Sequence, residues 1–312
     1  MTKVAVIGAG IIGLTSAIRL QDAGYDVSIF TKELTENTTS TAAGAVWWGY
    51  GEGKVQEWAR RSLKVFQQDI ANNLGSVTLL RLHDVYHHQA GVPWFHDDIP
   101  YCQPIPKSEL KSPYVSGFII DIPLITPTLY LEYLLERYQA KGGDIFQKDM
   151  SSLSELSDDY SLIINCTGLG AREIADDEHV HPIRGQTVLV DAPTVETGFM
   201  DDEHFTYIFP RADGVVLGGI LQANEDNLAV DMTIRQDILM RCIQVDERLK
   251  NSAIIKETVG LRPGRYEVRL EAETLSDSCT VIHNYGHAGL GFTLSWGCAE
   301  DVLGLAQGVL GK

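Results

Sequence analysis

Two glycine-rich stretches carry the strongest chemical signal in this 312-residue chain. Gly8-x-Gly10-x-x-Gly13 follows a short β-rich run at residues 4–7 and precedes a helically spaced stretch carrying Leu14, Ala17, Ile18 and Leu20. In that context Gly8 permits a tight turn, Gly10 lets the backbone approach a pyrophosphate, and Gly13 lets helix and strand pack closely. The helix N-terminus adds amides and a positive dipole end, so the spacing predicts a dinucleotide site, for NAD or FAD alike. An acid at the end of the second strand would ordinarily hold the ribose hydroxyls. Here that position falls on Thr31, and Lys32 and Glu33 are the nearest charged residues. Glu33 is either the ribose partner or a solvated loop carboxylate.

Residues 281–299 read VIHNYGHAGLGFTLSWGCA. This predicts a strand ending at His283, a turn studded with Gly286, Gly289 and Gly291, and then a helix. Glycines so placed let a flat ligand lie on the backbone, and the helix start faces a developing negative charge. Other chemistries find little support. His83, His87, His88, His96 and Asp97 occupy a segment that alternates like a strand and lacks zinc spacing, so they read as surface groups and no metal is expected. No G-x-S-x-G elbow is present. Five cysteines lie scattered without C-x-x-C spacing, which predicts reduced thiols and a cytoplasmic protein.

These residues need elements to hold them. The chain opens as a βαβ unit, with a strand at 4–7, a helix ending near Gly24 and a strand at 27–30. A Thr-rich loop (Thr38, Thr39, Ser40, Thr41) leads into small residues at 42–45. A helix follows over 55–70, with Trp58, Ala59, Leu63, Phe66 and Ile70 on one face. Alternation broken by prolines predicts strands and loops over 77–122. Thr126-Pro127 reads as an N-cap and first turn of a helix that stops near Gly142-Gly143. Strands follow at 144–147 and 161–166. An antiparallel sheet then holds 188–190, 207–209 and 215–217, with Ala212-Asp213-Gly214 as a hairpin turn. A helix over 232–247, a strand over 253–261 and a final helix over 293–309 complete an α/β chain of two intertwined domains.

Composition is that of an ordinary globular protein, 44% apolar and 21% charged, which excludes disordered, collagen-like and coiled-coil classes. With 25 basic and 42 acidic residues the formal charge is −17, which argues against nucleic-acid or anionic-membrane binding. Any phosphate must then be held by oriented amides. No apolar stretch reaches the roughly 20 residues of a membrane span, and the N-terminus lacks a signal-peptide layout.

Taken together, the segments resemble the D-amino acid oxidase and D-aspartate oxidase family. Residues 281–299 match its signature, and VAVIGAGIIG at the start agrees. So do Asn165-Cys166-Thr167-Gly168-Leu169-Gly170-Ala171, Pro182-Ile183-Arg184-Gly185-Gln186, Tyr207-Ile208-Phe209-Pro210, Leu217-Gly218-Gly219 and Gly260-Leu261-Arg262-Pro263, in order. The resemblance implies non-covalent FAD in a Rossmann-like domain interleaved with an antiparallel-sheet substrate-binding domain. The expected division is 1–48, 125–185 and 255–312 for FAD, with 49–124 and 186–254 for substrate. It further implies oxidative deamination of a D-amino acid by hydride transfer to flavin N5, giving 2-oxo acid, ammonia and, with oxygen, hydrogen peroxide. No acid–base side chain is implied.

By the same resemblance Arg262 grips the substrate carboxylate through its planar fork, which lysine lacks. Tyr207 adds a hydroxyl, and the Gly289 carbonyl receives the substrate amine. Gly8, Gly10, Ile11, Ile12 and Gly13 surround the pyrophosphate, with Thr31, Lys32 and Glu33 at the ribose. Thr38, Thr39, Ala43 and Gly44 run along the isoalloxazine and ribityl chain. Thr167 and Gly168 touch the adenine side. Gly289, Leu290, Gly291, Phe292 and Thr293, with Arg262, border the flavin ring. D-aspartate oxidases place an arginine where Leu221 stands here, so Leu221 with Trp47 and Trp48 predicts an apolar pocket and neutral or apolar substrates. Rival readings are a D-aspartate or D-glutamate oxidase, a glycine- or sarcosine-type oxidase, an oxygen-slow dehydrogenase, and a flavin-binding sensor without turnover. Retention of Arg262 and Tyr207 speaks against the last. Expected partners are a small D-amino acid, oxygen and, as is common in the family, a second copy in a homodimer.

Overall fold

A computed structural model describes residues 2–311. The first half of the chain contains β1 (Lys3–Ile7), α1 (Ile11–Asp22), β2 (Asp26–Thr31), α2 (Lys54–Ala71), β3 (Val77–Tyr86), β4 (Tyr101–Pro104), β5 (Ser116–Ile125) and α3 (Pro127–Ala140). Next come β6 (Asp144–Gln147), β7 (Leu162–Asn165), α4 (Ala171–Ile174), β8 (His181–Asp191), β9 (Gly198–Asp201), β10 (Thr206–Arg211), β11 (Gly214–Gly218) and β12 (Gln222–Ala223). The chain closes with α5 (Met232–Val245), β13 (Ala253–Gly264), β14 (Arg269–Ser276), β15 (Cys279–Tyr285) and α6 (Gly291–Leu310).

One sheet has the order β14-β15-β7-β1-β2-β6. Its strands are parallel except β14, which runs antiparallel to β15. The apolar runs of β1 and β7 are continuous because both faces are covered. Val4, Val6, Leu162 and Ile164 pack in the main core with α1, α3 and α6. Ala5, Ile7 and Ile163 point the other way, against Met150, Leu153 and Leu156. The apolar α6 lies against α1 and α2, and its approach to α2 is close. A Cβ on Gly297 would stand 2.6 Å from the Trp58 carbonyl carbon, and the Gly297 amide donates to Ser62 Oγ at 3.0 Å. Among the described residues, no helix is long and apolar enough to cross a membrane.

In the other sheet β8 is a shared seam. It pairs with β13 along one edge and with β11 and the short β12 along the other, and the sheet continues through β10, β9, β3, β5 and β4. All pairs are antiparallel except β3 with β9. The expected hairpin forms, with Ala212 and Asp213 between β10 and β11 and Gly214 at φ +134°. Buried Ile238 and Cys242 of α5 cap a small core with Val188, Ile208 and Leu217.

The expected α/β class with two intertwined sheets is what the chain forms. The expected domain joints at 185/186 and 254/255 fall inside β8 and β13, both of which belong to the second sheet. Strands β9, β12 and β14 are additional to the elements read from the pattern. Thr126 occupies the N-cap of α3, but its Oγ1 accepts from the Ala212 amide at 3.3 Å and not from its own helix.

Candidate cofactor and substrate site

Three parallel strands of the first sheet, β1, β7 and β15, deliver their carboxyl ends to one cavity of about 990 Å³. Ligands of open α/β sheets bind at this edge, because helix N-termini point there. The opposite wall comes from β8, β10 and β13 of the second sheet.

The β1–α1 turn is built for close approach. Gly8 sits at φ +112°, and a Cβ there would stand 2.5 Å from the Cys166 carbonyl oxygen at the end of β7. A Cβ on Gly13 would overlap the Gly8 carbonyl and lie 2.8 Å from its carbon. Gly13 therefore works through packing and does not line the cavity, whereas Gly8, Gly10, Ile11 and Ile12 do. The Ile11 amide donates to Ser40 Oγ at 3.0 Å, which folds the polar loop over the start of α1. Thr38, Thr39, Ala43 and Gly44 of that loop line the cavity.

At one end of the cavity lie Thr31, Lys32 and Glu33. Thr31 Oγ1 donates to the Glu33 carbonyl at 2.7 Å, and Lys32 pairs with Asp149 at 2.8 Å. Thr167 and Gly168 join them across the sheet, with the Thr167 amide and hydroxyl both donating to Asn165 Oδ1.

The turn between β15 and α6 supplies Gly289, Leu290, Gly291, Phe292 and Thr293. Thr293 Oγ1 accepts from the Trp48 amide at 3.2 Å, so this turn and the first loop hold each other. Two buried polar atoms beside it, Asn284 Oδ1 and His287 Nε2, have no hydrogen-bond partner among the described residues. Burial holds the His287 imidazole down to about 3, so the ring is neutral at ordinary pH. A glycine cradle, two helix starts and two unsatisfied polar atoms are what a dinucleotide carrying a flat ring requires.

Arg262 extends from β13 flat across Gly185 of β8, where a Cβ would stand 2.5 Å from its Nη1. Among the described residues its guanidinium makes one hydrogen bond, from Nη1 to the Ile220 carbonyl at 3.2 Å. Among the described residues no carboxylate pairs with it, and it lines the cavity. Tyr207 stacks on Phe209 with ring centroids 4.7 Å apart, and glycines at 44, 218 and 219 make room for the ring. Burial raises its phenol, with the Arg262 charge opposing, and the hydroxyl stays protonated as a donor. Arg262 and Tyr207 thus present one guanidinium and one hydroxyl to the same space.

Leu221 reaches the cavity wall but is 49% exposed, which places it at the mouth. Trp47 corrects the expectation. It lies outside the cavity, fully buried, with its indole N–H donating to the Ala59 carbonyl at 3.0 Å and its ring against Phe95. Successive side chains of extended backbone face opposite ways, so Trp48 faces the cavity instead. Tyr50, Asp202 and Phe205 complete the mouth, with Tyr50 hydrogen-bonded to Asp202. Asp202 belongs to the acidic run 201–203, which the sequence offers as a solvated loop or a border of the site entrance; Tyr50 and Phe205 carry no signal in the sequence. Ser40, Asn284 and His287, also not singled out, stand within segments that the sequence does mark.

A parallel sheet offering strand ends and helix starts to a dinucleotide, faced by an antiparallel sheet carrying an unpaired arginine, defines a two-sheet flavoenzyme. The chain matches the DAO family, described as FAD dependent oxidoreductase, over residues 3–303, and it belongs to that family. It is an oxidoreductase, and its cofactor is FAD. The chain is 36% identical to a D-amino-acid oxidase of Rubrobacter xylanophilus, over 99% of this chain and 97% of that protein. It is 31% identical to a human D-aspartate oxidase, over 98% and 94% of the two chains. Among solved structures, glycine oxidase from Bacillus cereus superposes with a TM-score of 0.80 over 99% of this chain and 95% of that one. At 17% identity this likeness speaks to the fold.

Proposed function

We propose that this protein oxidatively deaminates D-amino acids with neutral or apolar side chains, giving a 2-oxo acid, ammonia and hydrogen peroxide. The observation that carries the reading is the Arg262 guanidinium, with no carboxylate partner among the described residues, in the same cavity that Tyr207 lines. FAD, when bound, accepts the α-hydrogen and its electron pair and passes the electrons to oxygen. The protein's part is placement, because a positioned substrate needs little acid–base help. Arg262 holds the α-carboxylate with two parallel N–H donors, and the Tyr207 hydroxyl donates to the same group. The Gly289 carbonyl receives the amine. These three contacts fix two substituents of Cα, the carboxylate and the amine, and with the side chain directed to the wall of Leu221 and Trp48 only one enantiomer presents its hydrogen to the ring-binding turn at 289–293.

Leu221 and Trp48 support the side-chain preference, since neither offers a cation to a second carboxylate. The division of labour we propose follows the sheets, with the parallel sheet holding FAD and the antiparallel one the substrate. Five free thiols support a cytoplasmic setting. The test is anaerobic mixing of FAD-loaded protein with D-alanine, D-valine, D-aspartate and their L-enantiomers. Bleaching of the flavin by D-alanine or D-valine well ahead of D-aspartate is expected. Bleaching by none of them, or equally by L-forms, rejects the reading.

A further inference from the structure

At the rim of the same cavity, β3 and β9 run parallel and end side by side. Their ends bring together side chains far apart in sequence. His87 follows β3 directly, Asp201 closes β9, and His204 stands in the turn before β10. We propose that His87, Asp201 and His204 form a binding site for one divalent transition-metal ion of the zinc class. The proposal is independent of the reaction assigned above.

The geometry is that of a convergent three-ligand set. Asp201 Oδ2 lies 2.9 Å from His87 Nε2 and 3.3 Å from His204 Nδ1, and all three donor atoms fall within 4.8 Å of one another. Ligands held tetrahedrally at 2.0–2.2 Å from zinc are separated by about 3.4 Å. An ion therefore needs movements of only a few tenths of an ångström where the contacts are closest. Orientation is already provided. The His204 amide donates to Asp201 Oδ1 at 3.3 Å, which turns Oδ2 toward both imidazoles. The Tyr114 hydroxyl hydrogen-bonds the same carboxylate, and its ring packs on His87. Support of this kind is what fixes ligands in metal sites.

Electrostatics favour a cation there. The Asp201 side chain is only 5% exposed, and among the described residues no lysine or arginine pairs with it. Asp202 and Glu203 follow Asp201 directly in the same turn and add further acidic side chains. Arg241 reaches the same turn but donates to the His204 and Phe205 carbonyls and pairs with Asp237. Two imidazoles and one carboxylate select zinc, nickel, cobalt or copper over magnesium or calcium, and three protein ligands leave a position for water. His87 binds through Nε2 and His204 through Nδ1, each carrying its proton on the other nitrogen, and Asp201 enters ionised. An ion so held ties the end of β3 to the turn that supplies Asp202 and Phe205 to the cavity mouth.

The test is calorimetric titration of chelator-treated, FAD-loaded protein with zinc chloride and nickel chloride, with magnesium as a control. One ion per chain is expected. His204→Ala and His87→Ala should each weaken binding by tenfold or more, and zinc should raise the melting temperature of the wild type but not of His204→Ala. His88→Ala, which removes a neighbouring ring paired with Glu203, should bind as the wild type does. His204 is mostly exposed, so its variant keeps the test meaningful if His87→Ala folds poorly. The proposal is overturned by absence of saturable one-to-one binding of zinc and nickel, by unchanged affinity in His204→Ala, or by loss of binding in His88→Ala alone.

Discussion

Replacing Arg262 by leucine removes the guanidinium that faces the cavity and leaves a shorter, apolar side chain. In the native protein one of its donors is used on the Ile220 carbonyl, and the rest of the fork faces the substrate space. A carboxylate bound there forms a charge-assisted, two-bond pair in partly dry surroundings. Truncating one partner of such a pair costs about 2–5 kcal/mol. At about 1.4 kcal/mol per tenfold, kcat/KM should fall by roughly 30- to 4,000-fold. Arg262→Lys keeps the charge and loses the planar fork, so it should fall between the two. The assay is anaerobic stopped-flow reduction of the bound flavin against D-alanine concentration, with FAD content measured on the same samples. The cradle at Gly8, Gly10 and the 289–293 turn is untouched, so FAD should remain bound. If Arg262→Leu retains kcat/KM within about threefold of wild type while holding FAD, the carboxylate clamp lies elsewhere.

Gly13→Ala drives a Cβ into the Gly8 carbonyl, a rigid backbone neighbour, and should cost about 1–3 kcal/mol of stability together with a measurable loss of FAD affinity. Gly304→Ala, at a position on α6 with nothing within 4 Å, should instead stabilise by about 0.5–1 kcal/mol, and paired melting curves check both signs. Leu221→Arg places a cation at the mouth and should raise the kcat/KM ratio of D-aspartate to D-alanine; an unchanged ratio puts specificity at another wall. Asp84 is buried, with Asp202 and Asp201 adding to the effect, and its carboxyl is pushed up to about 8. The folded state therefore holds a proton that the unfolded chain has released. Stability from this group is full below its ordinary value near 4 and is lost as pH rises toward 8, at up to about 1.4 kcal/mol per pH unit. Asp84→Asn should flatten that slope in denaturant melts between pH 5 and 8, and an identical slope in the variant would show that Asp84 is ionised in the native protein.

Local sequence determined what local physics controls. Apolar runs at 4–7 and 162–164 became buried parallel strands, and the glycines after them mark turns, with Gly8 and Gly168 both at positive φ. Helices α2, α3, α5 and α6 were legible from their apolar faces and ends. The glycine turn at 286–291 marks a ligand surface in the sequence itself, and the family resemblance points to Arg262 and Tyr207. Strands β9 and β14 were not legible, since a short strand is stabilised mainly by the partner it finds. Trp47 and Trp48 are indistinguishable in the sequence, and only the bridge of Val46 to Leu124 decides which of the two faces the core. Tertiary pairing alone joined Arg262 to Gly185 across β13 and β8, set Asp202 against Tyr50, and closed His87 onto Asp201 and His204. Those contacts span tens to more than a hundred residues of chain. Periodicity carries no information about them, because registry between distant strands is fixed by how the two sheets bury their apolar faces.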